Sequence, residues 1–249
     1  RGGPGLGSIQ PAQGDYWQAT KAPGHGDLHI LVFAPNSVQE MVDLVAFAFD
    51  KSFEYRMPAM ILADGLLGQM MEPVELSDGE PSVAKDRLPW AACGHENKRE
   101  HNIINSLCLQ PDVLEKQIID RFKRYEMIEQ TQQKAEEYMT DDADYILTAF
   151  GASSRIAKAA VRKARENGIK AGLIRPITLW PFPKDAMKKH AGHAKAFLDV
   201  ELNMGQMADD VRLAIGCSKP VYFFGRTGGM IPTPDEIYNE IVKIAGGDR

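Results

Sequence analysis

The chain has 249 residues, of which 44% are hydrophobic and 25% charged, a composition normal for one large or two ordinary globular domains. The formal net charge of −5 argues against a nucleic-acid partner, because nucleic-acid binding needs a clustered basic excess. No apolar run approaches the roughly 20 residues that span a bilayer, and no signal peptide is recognisable. We therefore expect neither a nucleic-acid nor a membrane partner.

The three cysteines, Cys93, Cys108 and Cys217, lie far apart and form no C-x-x-C pair. A metal or iron–sulfur site held by this chain alone is therefore not expected. An odd number of cysteines without a disulfide framework suits a reducing compartment, which predicts a cytoplasmic protein.

The sequence begins at Arg1 with R-G-G-P-G-L-G-S and without a methionine. A glycine-rich turn contributes nothing to a core and needs structure on both sides. We expect the chain to be a fragment of a longer protein, with residues 1–26 forming an extended loop.

The first regular elements form a predicted strand–helix–strand unit. Residues 28–34 are a short apolar run typical of a buried strand, and Ser37 followed by Glu40 is a capping box that opens a helix. A second strand is predicted over 59–63. Because a helix connects them, the two strands should be parallel.

Residues 72–108 lose all periodicity, which indicates a long connection between two domains. A helix is then predicted from Asp112 to about Met139, and its loss of apolar positions towards the end is typical of a helix that bridges domains. We therefore divide the chain into a first domain over 1–75, a linker and bridging helix over 76–140, and a second domain over 141–249.

The second domain shows regular strand–helix alternation. Strands are predicted over 145–150, 171–175, 196–201 and 221–224. Helices are predicted after the turn at 151–154 to about 167, and over 184–190, 206–215 and 234–244. Gly168 is placed to end the first helix, and T-P-D-E at 233–236 is placed to cap the last. This alternation predicts an α/β fold with a doubly wound parallel sheet.

Four loops are candidates for chemistry, because ligands collect at the carboxyl ends of parallel strands. Residues 1–8 could bring backbone and the Arg1 guanidinium close to a carboxylate, or could be a simple tight turn. Residues 151–154 could bind an anion at a helix N-terminus, or could be an ordinary turn capped by serine.

The other two loops follow the third and fourth strands of the second domain. In E-L-N-M-G-Q at 201–206, Glu201 could be catalytic or could lie at an interface with Asn203 and Gln206, and we favour the interface over catalysis. Alternatively, Asn203 and Gly205 form the turn, and Glu201 and Gln206 make local hydrogen bonds. In G-R-T-G-G at 225–229, Arg226 could approach a phosphate or dock on a partner. The six histidines have no metal-ligand spacing, and no self-sufficient active site is recognisable.

Several of these segments together resemble the α subunit of 2-oxoacid:ferredoxin oxidoreductases. They are R-G-G-P-G-L-G-S at 1–8, Q-G-D at 13–15, G-H-G-D at 24–27, R-P-I-T-L-W-P-F-P at 175–183 and E-L-N-M-G-Q at 201–206. The resemblance covers essentially the whole chain, and G-L-G at 5–7 is most similar to the branched-chain (2-oxoisovalerate) type.

The resemblance implies the end of a thiamine-diphosphate pyrimidine-binding domain followed by a transketolase C-terminal-like domain. Arg1 matches the arginine of the family that binds the 2-oxo acid carboxylate, while the activating glutamate of the family lies upstream. The chain is therefore expected to contain no catalytic residue and to be inactive alone.

The resemblance also implies the cofactors and partners of an assembled enzyme. Thiamine diphosphate with Mg²⁺ would be bound mainly by a β subunit, iron–sulfur clusters would lie on other subunits, and electrons would pass to ferredoxin. Coenzyme A would accept the acyl group. The protomers of such an enzyme could also pair as a homodimer. The alternative functions are a 2-oxoglutarate-specific enzyme, a sugar-acting transketolase-like module and a non-catalytic scaffolding module.

Overall fold

In a computed structural model, the described residues are 2–21, 25–76 and 88–247. The strands are β1 (Leu31–Phe33), β2 (Ala59–Ile61), β3 (Ala135–Tyr138), β4 (Tyr145–Thr148), β5 (Ala171–Pro176), β6 (Thr178–Trp180), β7 (Ala196–Glu201) and β8 (Val221–Gly225). The α-helices are α1 (Tyr16–Thr20), α2 (Val38–Tyr55), α3 (Pro111–Thr131), α4 (Gly151–Glu166), α5 (Lys184–Ala191), α6 (Gln206–Ala214) and α7 (Pro234–Gly246), and a 3₁₀ turn covers Leu67–Gln69.

The first sheet has three strands in the order β2-β1-β6. Strands β1 and β2 are parallel, as predicted from the intervening helix, whereas β6 pairs antiparallel with β1. Strand β6 follows directly on β5 in the chain, so the second half of the sequence supplies an edge strand to the sheet of the first half. No strand is predicted from the sequence at Thr178–Trp180.

The second sheet has five strands in the order β3-β5-β4-β7-β8. Strands β4, β5, β7 and β8 are mutually parallel, which confirms the four predicted strands. Alternate residues point to opposite faces: Ile146 lies in the core beneath α5 and α6, and Leu147 lies in the core beneath α4 and α7. Helices on both faces make this the predicted doubly wound arrangement.

The helix predicted to run from Asp112 to about Met139 is wrong in its last eight residues. Helix α3 ends at Thr131, and Ala135–Tyr138 form β3, which pairs antiparallel with β5. The reason is long-range charge pairing. Glu136 accepts hydrogen bonds from Lys158 and Arg175, which an exposed helical turn at this point could not provide.

Helix termini follow the predicted caps. The Ser37 hydroxyl accepts from the Glu40 backbone N–H, but the Glu40 carboxylate accepts from the Asn36 N–H and not from that of Ser37, so the capping box predicted there is only half formed. Thr233 with Glu236 forms a complete capping box. Gly168 adopts φ +80° directly after α4, as expected for a residue that ends a helix. The helices of the described residues contain none that is long and apolar enough to cross a membrane.

Candidate functional site

A cavity of about 610 Å³ opens at the carboxyl ends of β7 and β8, the edge where the sequence analysis placed its candidate loops. Its walls are the glycine-rich loop, residues 2–8; the segment that enters α1; and the loops that follow β7 and β8. The lining residues are Gly2, Gly3, Pro4, Gly5, Ala12, Gly14, Asp15, Gln18, Leu202, Asn203, Met204, Gln206, Thr227 and Gly228.

The glycine-rich loop is closed on itself. The Ser8 N–H donates to the Gly2 carbonyl at 2.8 Å, and the Gly2 N–H donates to the Gln10 carbonyl at 3.2 Å. Gly7 has φ +52°, and a Cβ there would lie 1.8 Å from the Gly2 carbonyl oxygen, so only glycine fits. The loop is thus a tight turn, as one interpretation of the sequence predicted, and it also forms one wall of the cavity.

Gln13 connects this loop to the second domain, and local sequence patterns gave no sign of it. Its side chain is buried; Nε2 donates to the Phe150 carbonyl at 2.8 Å, and Oε1 accepts from the Leu202 N–H at 2.9 Å. The Gln13 backbone N–H also donates to the Leu202 carbonyl at 2.9 Å. Gln13 therefore pins the chain just after the glycine-rich loop to the ends of β4 and β7.

The predicted interface residues Glu201, Asn203 and Gln206 lie together where β7 passes into α6: Glu201 ends β7, Asn203 lies in the loop, and Gln206 begins α6. Asn203 lines the cavity, and its Nδ2 donates to Glu201 Oε2 at 2.7 Å and to the Gln13 carbonyl at 2.9 Å. Glu201 is fully buried, and its Oε1 accepts from the Met207 N–H at 2.9 Å at the start of α6. Glu201 has no exposed surface in this chain, so it can act at an interface only through the loop that it holds.

Asp199, two residues before Glu201, is also fully buried. Burial raises the pKa of Asp199 well above its ordinary value, and the neighbouring Glu201 charge adds to this rise. Burial also raises the pKa of Glu201. Asp199 Oδ1 accepts from the Thr148 hydroxyl at 2.6 Å. Two neighbouring buried carboxyl groups cannot both ionise cheaply, and a charge on Glu201 is stabilised by the Met207 and Ala208 N–H groups at the start of α6.

The start of α4 holds an anion, but this anion belongs to the chain itself. The Asp64 carboxylate lies opposite Gly151, and its Oδ2 accepts from the Ala152 N–H at 2.8 Å. A Cβ on Gly151 would come within 2.8 Å of that same oxygen. The hypothesis of an external anion at 151–154 is therefore wrong, because an internal carboxylate already occupies the helix N-terminus.

Two further contacts across the cavity edge escaped the sequence analysis. The buried Tyr16 hydroxyl donates to Asp210 Oδ2 at 2.5 Å, and the Lys21 ammonium contacts Asp210 Oδ1 at 2.5 Å. Burial, followed by the Asp210 charge, raises the pKa of Tyr16 well above its ordinary value. These contacts join α1 to α6, two elements nearly 200 residues apart.

Arg226, the fourth interface candidate, does not line the cavity. Its guanidinium contacts Glu236 in the capping box of α7 at 3.2 Å, and it remains about one-third exposed. Arg1, the predicted substrate-binding residue, lies outside the described residues. Whether these residues contact a substrate or a partner stays a prediction.

The described residues do not by themselves fit a Mg²⁺–diphosphate group or an iron–sulfur cluster. Within 2–21, 25–76 and 88–247, no group of three or more His, Cys, Asp or Glu side chains could hold a metal ion. The described lining of the cavity offers one charged side chain, Asp15. Its other polar atoms are backbone groups, amides and a hydroxyl.

Comparison with known proteins shows which family the chain resembles. Residues 1–142 match the family model described as "Pyruvate flavodoxin/ferredoxin oxidoreductase, thiamine diP-bdg", and residues 143–237 match "Pyruvate:ferredoxin oxidoreductase core domain II". The ketoisovalerate oxidoreductase subunit VorB of Methanothermobacter marburgensis is 43% identical over 249 residues, which cover 99% of this chain and 69% of VorB.

Two solved structures share the fold. The 2-oxoglutarate:ferredoxin oxidoreductase of Magnetococcus marinus, solved with 2-oxoglutarate, coenzyme A and succinyl-CoA bound, aligns with a TM-score of 0.79 at 21% identity, over 98% of this chain and 47% of that one. A split-gene transketolase, an inactive β4 tetramer, aligns with a TM-score of 0.50 at 15% identity, over 90% of this chain and 60% of that one.

The family models and the fold together therefore define an α/β oxidoreductase subunit with a transketolase-like layout, as predicted. More particularly, the chain belongs to the 2-oxoacid:ferredoxin oxidoreductase family. It is more similar to VorB, at 43% identity, than to the 2-oxoglutarate synthase subunit KorA of Methanothermobacter thermautotrophicus, which is 30% identical over 98% of this chain and 71% of KorA. The family resemblance predicted from the sequence motifs is thereby confirmed.

Proposed function

We propose that this chain forms one wall of a thiamine-diphosphate site in an oxidoreductase that decarboxylates branched-chain 2-oxo acids. The acyl group is transferred to coenzyme A, and the electrons pass to ferredoxin. The observation that carries the proposal is the cavity of about 610 Å³ between the glycine-rich loop and the ends of β7 and β8. This is the edge of a parallel sheet where such folds bind ligands.

The composition of the cavity wall supports a shared site. Glycine backbone lines one side, and Asn203 and Gln206 line the other, but the described wall contains no nucleophile with a base beside it. Large apolar side chains are exposed nearby, with Leu6 87%, Ile9 77% and Met204 78% exposed. A partner subunit that packs on this rim would bury them and complete the site.

We assign the diphosphate and its Mg²⁺ to the β subunit and the iron–sulfur clusters to a further subunit. Thiamine diphosphate supplies the carbanion chemistry when it is bound. The residues of this chain position the glycine-rich loop, exclude water and orient the substrate. The cytoplasmic location also remains part of the proposal, in keeping with three free cysteines.

Within this site, Arg1 binds the carboxylate of the 2-oxo acid. A guanidinium suits this role, because it can pair with a carboxylate through two parallel hydrogen bonds. Its sequence neighbour Gly2 lines the cavity, so the chain enters the cavity wall directly after Arg1.

The charge of the cavity favours a branched-chain acid over 2-oxoglutarate. A second substrate carboxylate needs a cation nearby, and the described lining residues include neither lysine nor arginine. They do include Asp15, which repels a second carboxylate. An apolar side chain carries no such penalty.

The test is turnover by the chain assembled with its partner subunits, measured without oxygen as viologen reduction in the presence of coenzyme A. 2-Oxoisovalerate, 2-oxoglutarate and pyruvate are compared by kcat/KM. We expect 2-oxoisovalerate to exceed 2-oxoglutarate at least tenfold, because an unpaired buried carboxylate costs more than about 1.4 kcal/mol. A preference for 2-oxoglutarate would reverse the substrate assignment. No turnover of any 2-oxo acid by the intact assembly would favour the scaffolding alternative.

A further inference from the structure

Asp15 occupies a helix N-cap and yet does not cap the helix. Aspartate is favoured at this position because its carboxylate accepts a hydrogen bond from the N–H of the second or third helical residue. At the start of α1, Asp15 makes no such bond. The N–H of Trp17, the second helical residue, instead donates to Gln206 Oε1 at 2.9 Å.

Gln206 takes over the cap through three contacts. Besides accepting from the Trp17 N–H, its Nε2 donates to the Gly14 carbonyl at 2.9 Å. The Gln206 carbonyl in turn accepts from the Trp17 indole Nε1–H at 3.0 Å. A residue of the second domain therefore satisfies the helix end that Asp15 would ordinarily satisfy.

Asp15, which has no capping bond, lies in the cavity wall. Asp15 is exposed, lines the cavity, and is the single charged side chain in the described part of the lining. No hydrogen bond or ion pair from a described residue reaches its carboxylate. A carboxylate left free in this way binds groups that donate hydrogen bonds and disfavours other anions.

We propose that Asp15 is a specificity-determining residue that accepts a hydrogen bond from an N–H group of a ligand in the cavity, and that Gln206 is the positioning residue that frees it. This inference rests on the function proposed above. That function offers two sources of N–H groups, the amides of the coenzyme A pantetheine arm and the amino group of thiamine diphosphate. The 2-oxo acid carries only acceptors near its reacting carbons and is not held by Asp15.

The first test concerns the helix cap and needs no activity. Replacement of a working N-cap by alanine lowers the Tm of a chain this size by about 2–4 °C. Ser37→Ala is the matched control, because Ser37 does accept from the Glu40 N–H at 3.1 Å. We expect Ser37→Ala to show this fall and Asp15→Ala to leave the Tm within about 1 °C. An equal fall for Asp15→Ala would overturn the proposal, because Asp15 would then be capping α1.

The second test measures ligand affinity in the assembled complex by isothermal titration, separately with coenzyme A and with thiamine diphosphate. We expect Asp15→Ala to weaken binding of one of the two about tenfold or more, the loss typical of a charge-assisted hydrogen bond, and to leave the KM of the 2-oxo acid no higher. The ligand affected identifies the source of the N–H group. Changes below twofold for both, or a raised KM of the 2-oxo acid alone, would refute the assignment.

The role of Gln206 is tested by coupling. Gln206→Ala frees the Trp17 N–H, so Asp15 should return to the cap and the same ligand should lose affinity. The double variant should then bind no more weakly than Asp15→Ala alone. Additive losses would contradict the coupling. If the wild-type assembly turns over no 2-oxo acid, the proposed function fails, while the titration and Tm measurements still decide the role of Asp15.

Discussion

Replacement of Arg175 by methionine tests what holds the two halves of the chain together. Arg175 lies in β5 with its side chain 5% exposed. Its Nη1 and Nη2 form a two-pronged pair with Glu40 of α2 at 2.8 and 2.9 Å. Its Nε donates to Glu136 of β3 at 2.8 Å. One guanidinium therefore joins the second sheet to the helix of the first domain.

The expected cost is about 3 kcal/mol. Removing one partner of a buried ion pair typically costs about 3–5 kcal/mol, because a charge is left buried without compensation. Here the two glutamates are 22% and 29% exposed, so water can partly solvate them, and Glu136 keeps its bond from Lys158. We therefore take the lower end of the range. For a chain of this size it corresponds to a fall in Tm of roughly 6–12 °C.

The assay is thermal unfolding followed by circular dichroism, supported by urea unfolding. Arg212→Met is the matched control, because Arg212 forms an exposed pair with Asp209 whose loss should cost less than about 1 kcal/mol. A fall for Arg175→Met no larger than that of the control would refute the idea that this network holds the two halves together.

Three further predictions follow from the site. As pH rises above about 4, the wild type should lose stability, because the pKa of Asp199 is raised in the folded state and its carboxyl group ionises more readily in the unfolded chain. Asp199→Asn removes this titration, so the variant should become more stable relative to wild type as pH rises. A pH-independent difference in Tm between the two proteins would contradict this. Gln13→Met should cost about 1–3 kcal/mol in urea unfolding, since it leaves the Leu202 N–H buried without a partner, while the Phe150 carbonyl keeps its hydrogen bond from the Ser153 hydroxyl; a cost below about 1 kcal/mol would refute its anchoring role. Gly7→Ala should lower the Tm more than Gly5→Ala, because both have positive φ but an added Cβ has no neighbour within 4 Å at Gly5; equal effects would show that the loop is not tightly closed.

Local sequence patterns predicted the parts of the fold that depend on local physics. The cap at Ser37, the helix end at Gly168 and the capping box at Thr233 each rest on residues a few positions apart, and each is confirmed. The four parallel strands of the second sheet were predicted because each is a short apolar run between turn residues.

The patterns failed where distant residues decide the structure. Strand β3 carries Glu136 and Glu137 in a polar stretch that was interpreted as the end of a domain-bridging helix. Their partners Lys158, Arg175, Lys189 and His190 lie 22 to 53 residues away and select an edge strand instead. Strand β6 was missed for a similar reason, because its pairing partner β1 lies in the other half of the chain.

The site was predicted in part. The rule that ligands collect at the carboxyl ends of strands led to Asn203 and Gln206, and both line the cavity. Gln13 and Asp15 were noticed only as part of a family-like motif. Their roles depend on partners up to 190 residues away, and no spacing in the sequence reveals those partners.

The pairing of β6, from the second half of the sequence, with β1 of the first sheet has a practical consequence for dividing the chain into fragments. A cut after residue 142, where the two family models meet, would strip β1 of its antiparallel neighbour and leave a bare row of backbone donors and acceptors on the first fragment. The other fragment would carry Thr178–Trp180 with nothing to pair against. Fragments divided at this point should aggregate when expressed separately and should be soluble when co-expressed, so residues on both sides of the cut should be kept in one polypeptide for expression and engineering.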